Sequence, residues 1–483
     1  MSIPSGFKPG ERVAGVDGHR REALVGEPPG PWPSGGSLAL DPGHPESEQL
    51  NSEPVILVVN AGSSTVKFGL FRFDTLEPAA RAMLDWAGQS RRAVFTWTSP
   101  GAVPPPTELD APDYRSAVVA ALRLLLESRA AGQHPEGSTQ RVAPGGGGYR
   151  RQPYPATTRY PVRAVGHRLI HGGEEIRRPV RIDPAMKLAI ARYAHLAPLH
   201  IPAGLEAIAA TETVLPGVLQ VGVFDTAFFA DIPPAAYLYP VPYAWYEDWG
   251  IRRYGFHGTS HAYCTQRAAE MLQQRPTSGR CPADLRLLIC HLGQGSSATA
   301  VRGGVAVTNT MGFTPLEGFM MGSRSGTVDP GILLYVQREK GLSVNQLDEI
   351  LHHHSGLLGI SGLSADFRQV EAAAREGHRR AQLALDVYAY RVKTMLGALA
   401  VTLGGFDALV FTGGIGENSI WLRSEVCQGL QFLGVRLDEH RNTACRPDAD
   451  VAAANSPARV LLIHTREDLL IARESRRLAL EST

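Results

Sequence analysis

Residues 55–59 (VILVV) form an unbroken apolar run, the pattern of a strand covered on both faces. Residues 65–71 then alternate, with Val66, Phe68 and Leu70 on one side and Thr65 and Lys67 on the other. The five residues between them, NAGSS, are turn-forming, so a hairpin is expected whose tip offers N–H groups, hydroxyls and one lysine, the groups a phosphate needs. An ordinary hairpin with a polar turn fits the same pattern. Far downstream the arrangement returns: residues 285–289 are apolar, 291–297 read HLGQGSS, and 298–301 form a second strand. Residues 408–410 lead into a third strand-to-glycine turn, FTGGIGEN, where glycines let a backbone approach a nucleotide closely. The repeated hairpin predicts a duplicated α/β fold with a cleft between its halves.

The rest of the pattern fills in around these turns. Helices are expected over residues 115–129, from about Ala203 onward, and over 381–403 with a stop at Gly404 and Gly405. Residues 162–170 read as a strand ending in HRLIHGGE, where Arg168 is either an anion clamp or a salt-bridged edge residue. Residues 219–228 read as a buried strand carrying Asp225 near its carboxyl end, a place for catalytic or metal-binding groups, or else for a helix cap. His257 and His261 stand four apart, one face of a helix. HExxH is absent, and a hydrogen-bonding role is preferred over metal ligation. Residues 461–473 are a strand running into a helix with Glu467 and Asp468 in its first turn, where acidic residues complement the dipole. The histidines at 352–354 read as a solvated cluster.

Composition then narrows the classes. At 483 residues the chain has room for two to four domains. Lysine plus arginine number 48 against 47 aspartates and glutamates, so no field draws the chain to nucleic acid or to a membrane surface. Five cysteines, none in CxxC, suit a reducing cytoplasm better than a disulfide framework or zinc site. No apolar run reaches the roughly 18–20 residues of a membrane helix. With five lysines in the whole chain, Lys67 inside a strand is notable, and the absence of any GK dipeptide excludes a P-loop. Residues 1–53 read as a disordered extension without a signal-peptide core, and the glycines at 145–148 as a surface loop.

Taken together, VNAGSSTVKF, GHRLIHGGE, APLH, VFDTAF, RRYGFHGTSH, HLGQGSS, MGFTPLEGFMMGSRSG and FTGGIGENS resemble the acetate kinase family, of the actin-like and sugar-kinase superfamily, in family order from Pro54 onward. The resemblance implies two duplicated actin-like (ribonuclease H-like, βββαβαβα) domains with an interdomain nucleotide cleft. Residues 54–227, completed by 467–483, would form the first domain and 228–466 the second. It implies reversible transfer of the ATP γ-phosphoryl group to acetate with magnesium, or manganese in its place, in a cytoplasmic homodimer.

Carried over by position, Asn60 and Glu467 would hold the metal, and Ser63, Thr65 and Lys67 would approach the phosphates. Arg168 and Arg324 would bracket the carboxylate and the group in flight. Asp225 would be the catalytic aspartate, His257 the transition-state stabiliser, and His200 its assistant. The nucleotide would be lined by His291, Leu292, Gly293, Gln294 and Gly295, by Asp366, Phe367 and Arg368, and by Gly414, Ile415, Gly416, Glu417 and Asn418. Ile170, Leu199, Phe256 and Pro315 would line the acyl pocket. Ile170 stands where many members carry valine, which implies acetate over propionate. Departures from the family pattern are Ile201, Phe229, Gln294, Thr308 and Thr327, of which Gln294 bears on the choice of phosphoryl donor. A propionate or butyrate kinase of the same fold, and a non-catalytic nucleotide sensor, are the alternative readings.

Overall fold

The computed structural model describes residues 53–62, 64–86, 92–100, 102–127, 160–273 and 282–481. The expected N-terminal extension (apart from Glu53), Ser63 and the 145–148 loop lie outside the described residues.

Two sheets carry the structure. The first consists of β1 (Val55–Ala61), β2 (Thr65–Arg72), β3 (Pro78–Asp85), β4 (Arg92–Thr98), β5 (Thr107–Asp110), β6 (Val162–Leu169), β7 (Val180–Arg181) and β8 (Leu219–Phe224). Its order is β5-β4-β3-β2-β1-β6-β8-β7. The second holds β9 (Arg286–Leu292), β10 (Ser296–Arg302), β11 (Val305–Asn309), β12 (Ala408–Thr412), β13 (Ala449–Asp450) and β14 (Arg459–Leu462), in the order β11-β10-β9-β12-β14-β13. In both, three consecutive antiparallel strands are followed by two parallel ones: β3-β2-β1 then β6 and β8, and β11-β10-β9 then β12 and β14. The duplication expected from the hairpins is present as one topology used twice.

Strand alternation decides what each face meets. On β1, Val55, Leu57 and Val59 pack with Ala117, Val118, Ala121 and Leu122 of α1 (Tyr114–Glu127) and with Ala207 and Ala210 of α2 (Ile201–Val214). Ile56 and Val58 face the other way, against Ile471, Ala472 and Leu478 near the C-terminus. Each such side chain fully buried stabilises the fold by roughly 1.5–3 kcal/mol. In the second sheet, Leu287 and Ile289 pack with Tyr263, Cys264 and Ala268 of α3 (Gly258–Gln273). Leu288, Cys290 and Leu292 face α5 (Phe367–Arg375) and α6 (Arg379–Leu403), which bury Phe367, Ala384, Leu385 and Tyr388. Between these elements runs α4 (Pro330–Lys340), which buries none of its residues.

Two short segments close the site. After β12 comes α7 (Gly413–Asn418), and after β14 the chain crosses to α8 (Glu467–Leu480), which lies on the first sheet. The expected helices and strands are present with ends displaced by a few residues. The α2 helix begins at Ile201, because Pro202 suits a first turn where no N–H partner is needed. The α6 helix stops where predicted, with Gly404 in the left-handed region at φ 68°. Among the described residues no helix is long and apolar enough to cross a membrane.

Candidate active site

Strand register assembles the first half of the site. Asn60 pairs with Lys67 across the hairpin and with Arg168 across the parallel β1–β6 ladder, so three polar residues stand in one row at the strand ends. Leu169 pairs with Phe224, the last residue of β8, and the next residue is Asp225. Asp225 opens a 3-10 turn and is fully buried; it is not a helix cap. Its carboxylate accepts from Arg168 Nε at 3.2 Å and Nη2 at 2.7 Å, and from Thr259 Oγ1 at 2.9 Å. Arg168 also places Nη1 3.4 Å from Asn60 Oδ1 and 3.3 Å from Glu467 Oε2, in the first turn of α8. Burial works against the guanidinium charge, but the Asp225 and Glu467 carboxylates outweigh it and raise its pKa.

The second half is built of neutral donors. A Cβ on Gly258 would sit 1.9 Å from the Asp225 carbonyl oxygen, so α3 starts directly on the aspartate's turn, and only glycine permits that approach. His257 just before it has φ +60°, a sparsely used conformation worth of order 1–3 kcal/mol of strain that marks functional positions. Its Nδ1 lies 2.9 Å from Ser297 Oγ, and His261 Nε2 lies 2.8 Å from the same oxygen. These two histidines therefore hydrogen-bond, as the sequence suggested, and among the described residues no three metal-type ligands cluster. The His291 ring lies 4.5 Å from that of His257, centroid to centroid, with Nδ1 2.8 Å from Ser260 Oγ. Burial, with the His291 and Arg168 charges behind it, holds the His257 pKa well below the ordinary value.

Arg324 completes the cleft. It donates to the Pro315 carbonyl at 3.2 Å and contacts Met321 Sδ at 3.7 Å, and no carboxylate among the described residues pairs with it. Burial lowers its pKa. A Cβ on Gly295 would stand 3.1 Å from His257 Nε2 and 3.6 Å from Arg324 Nη1, so both groups converge on the space this glycine leaves free. His200, at the start of α2, has its pKa lowered by burial and then by Arg324 and Arg168. Its expected neighbours are therefore close by.

Other sequence-predicted residues are placed less uniformly. Phe256 packs with Tyr254, Met311 and Met321, and Ile170 lies against that cluster. Leu199 stands outside it, 61% exposed, while Leu196, not singled out in the sequence, is inside. Leu292 and Phe367 turn their side chains into the core, so any ligand contact from them comes from the main chain. Asp366 caps α5 and pairs with the exposed Arg368. Glu417 accepts from Gly413 and Thr465 N–H groups and lies 2.6 Å from His464 Nδ1, tying α7 to the segment before Glu467. Asn418 donates to the Gly414 carbonyl, and Ile415 packs on the core. Lys67 and Thr65 stand on the cleft side of β2, and Lys67, Asn60 and Glu467 line a cavity of about 330 Å³ with Arg81, His464 and Asp468. Thr259, Ser260 and Ser297 were not predicted as functional, and their only sequence signal is that they lie within the motifs. His261 was singled out only by its spacing of four from His257.

Residues 156–473 match the model of the acetokinase family. An acetate kinase of Gloeobacter violaceus is 54% identical over 65% of this chain and 76% of its own length, and one of Cyanothece sp. is 44% identical over 87% and 97%. Among solved structures, Porphyromonas gingivalis acetate kinase superposes with TM-score 0.76 at 36% identity, covering 88% of this chain and 99% of that one. A Francisella tularensis propionate kinase superposes with TM-score 0.73 at 31% identity and the same coverage.

Proposed function

The chain belongs to the acetokinase family, and from that premise we infer that it is a phosphotransferase that moves the γ-phosphoryl group of ATP reversibly to acetate, giving acetyl phosphate and ADP. The observation that carries the reading is Arg324, a half-buried cation with no carboxylate partner among the described residues, converging with His257 Nε2 on one space. Such a cation favours an anion. Acetate, with a pKa of about 4–5, is already ionised near neutrality, so the reaction needs no strong base. Its obstacle is one anion approaching another.

In this reading Arg324 and Arg168 hold the carboxylate and the transferring group in line, and His257 Nε2 donates to the phosphoryl oxygens. Asp225 orients Arg168 through its two-point contact and does not take a proton. His200 assists beside the arginines. Thr65, Lys67 and Ser63 approach the phosphates; the turns at 291–295, 366–368 and 414–418 line the nucleotide.

Asn60 Oδ1 and a Glu467 oxygen gather with Asp225 around one cationic point, the Arg168 guanidinium. That set of hard oxygens would suit magnesium, or manganese in its place, which Asn60 and Glu467 would hold. The ion would neutralise phosphate charge.

Ile170 beside Phe256 narrows the acyl pocket, which favours acetate over propionate. The similar propionate kinase makes that the comparison to test. Residues 54–227 with 467–483 form one domain in this reading and 228–466 the other. The four described cysteines are free, in keeping with a cytoplasmic enzyme. Ile332, Leu334 and Tyr335 on α4 are each more than half exposed, an apolar face suited to a homodimer.

The test is acetyl phosphate formation, trapped as hydroxamate, from acetate, ATP and magnesium, with Arg324→Ala beside it. Product from the wild type and a loss of orders of magnitude in the variant are expected. No product with acetate, propionate or butyrate would leave a nucleotide sensor as the better account.

A further inference from the structure

His257 is neutral in its half-buried setting, where desolvation first, and then the neighbouring His291 ring and the Arg168 guanidinium, disfavour its cation. A neutral imidazole carries one proton, and which nitrogen holds it is set by what the other nitrogen meets. With the proton on Nδ1, the ring would turn a lone pair toward an anionic phosphoryl oxygen.

Ser297 Oγ stands between His257 Nδ1 at 2.9 Å and His261 Nε2 at 2.8 Å, and all of Ser297 is buried. The hydroxyl has one proton to give. If both histidines donated to it, that proton would have no acceptor among the described residues. If His257 donated and the hydroxyl served His261, then His261 would carry its proton on Nδ1. That nitrogen is buried without a partner, so an N–H would be orphaned there. The remaining arrangement runs from His261 Nε2–H to Ser297 Oγ, and from the hydroxyl to His257 Nδ1. It leaves only an unprotonated nitrogen of His261 unpaired.

We propose that Ser297, backed by His261, is a positioning residue that fixes the His257 proton on Nε2, so the ring offers an N–H to the cleft. The His257 Nε2 makes no hydrogen bond to a described residue, and it borders the space over Gly295 that Arg324 also borders. The neighbouring ring is treated alike. Thr465 Oγ1 donates to Ser260 Oγ at 2.8 Å, and Ser260 in turn faces His291 Nδ1 at 2.8 Å. Each of the two adjacent imidazoles thus has its Nδ1 against a serine hydroxyl. What the N–H meets rests on the phosphoryl-transfer reading; where the proton lies does not.

The experiment is long-range 15N–1H correlation on the full chain labelled at histidine, with His257 assigned by loss of its signals in His257→Gln. Protonated Nε2 and unprotonated Nδ1 are expected, and a proton on Nδ1 in the wild type overturns the proposal whatever the activity. The kinetic arm is Ser297→Ala, expected to lower kcat roughly 10–100-fold, the range for removing an orienting partner, with KM for acetate and ATP nearly unchanged. Ser297→Thr, which keeps the hydroxyl, should restore most of it. Adding Ser297→Ala to His257→Gln should cost nothing further. An unchanged kcat in Ser297→Ala, or an equal loss in the His257→Gln background, refutes the relay. Absence of acetyl phosphate in the wild type would count against the proposed reaction while leaving the tautomer result standing.

Discussion

The two sheets present the same row of positions to the cleft and fill it with opposite chemistry. In the first, the β2, β1 and β6 positions of the row are Lys67, Asn60 and Arg168. In the second, the equivalent β10, β9 and β12 positions are Ser297, His291 and Thr412. One half holds full charges that offset each other, Arg168 against Asp225 and Glu467. The other holds neutral rings and hydroxyls aimed at one another. In the proposed reaction the charged row, together with Arg324, would manage charge, and the row of rings and hydroxyls would supply directed donors that do not have to be discharged.

The largest effect should come from breaking the charged half. Arg168→Ala leaves the fully buried Asp225 without its cation, and removing one member of a buried pair costs about 3–5 kcal/mol. Chemical denaturation would measure it; a loss under about 1 kcal/mol would mean the ions are not coupled as described.

His257→Ala removes a donor and no ion. Loss of a directed donor lowers kcat by about 10²–10³-fold, and the denaturation midpoint should move far less than in Arg168→Ala. A stability loss equal to that of Arg168→Ala would erase the distinction between the halves.

Ile170 from the first half packs against the cluster of Phe256 from the second, where the proposed acyl pocket lies. Ile170→Val should raise kcat/KM for propionate relative to acetate by a factor within the 1–3 kcal/mol that one methylene is worth. An unchanged ratio would place the acyl group elsewhere.

Acidification should reach both halves through their buried histidines, His167 and His171 in the first among them. Burial lowers the folded pKa values of His257, His261 and His291 below 6.5, so below that pH the unfolded chain takes up protons that the folded one refuses. Their contribution is complete above about pH 6.5 and erodes as the pH falls toward the folded values. Hydrogen exchange followed downward from neutrality should show β9, β10 and α3 losing protection together with β6, whose buried His167 has its pKa lowered to about 4 by desolvation. Over about pH 6 to 8, kcat should stay flat, and a group titrating there as an essential base would contradict the roles assigned to Asp225 and His257.

The hairpins were legible because a short apolar run, a polar turn and an alternating strand each carry local pattern, and so the duplication could be read as well. The row Lys67–Asn60–Arg168 was not, since the pairing of Asn60 with Arg168 is a register between parallel strands far apart in sequence. Nor could Ser297 be told from a packing residue. Its hydroxyl gains meaning only when His257 and His261, from the start of the helix before it in the chain, are brought against it. Glu417 marks another limit. The glycines before it signal close backbone approach, but nothing local says that its carboxylate turns toward His464 and Thr465. Leu292 and Phe367 sit inside recognisable motifs, yet their positions in strand and helix point them into the core.

The C-terminal helix α8 has a consequence for the order in which the molecule assembles. It covers Ile56 and Val58 of the first strand and fits against Gly166, where a Cβ would meet Ser475 and Ile471. A ribosome therefore delivers the first sheet early but its cover last, and that apolar face waits uncovered through synthesis of the whole second sheet. The same helix also lends Leu470 to the core behind β9, β12 and β14, so both halves wait for α8 before their apolar faces are closed.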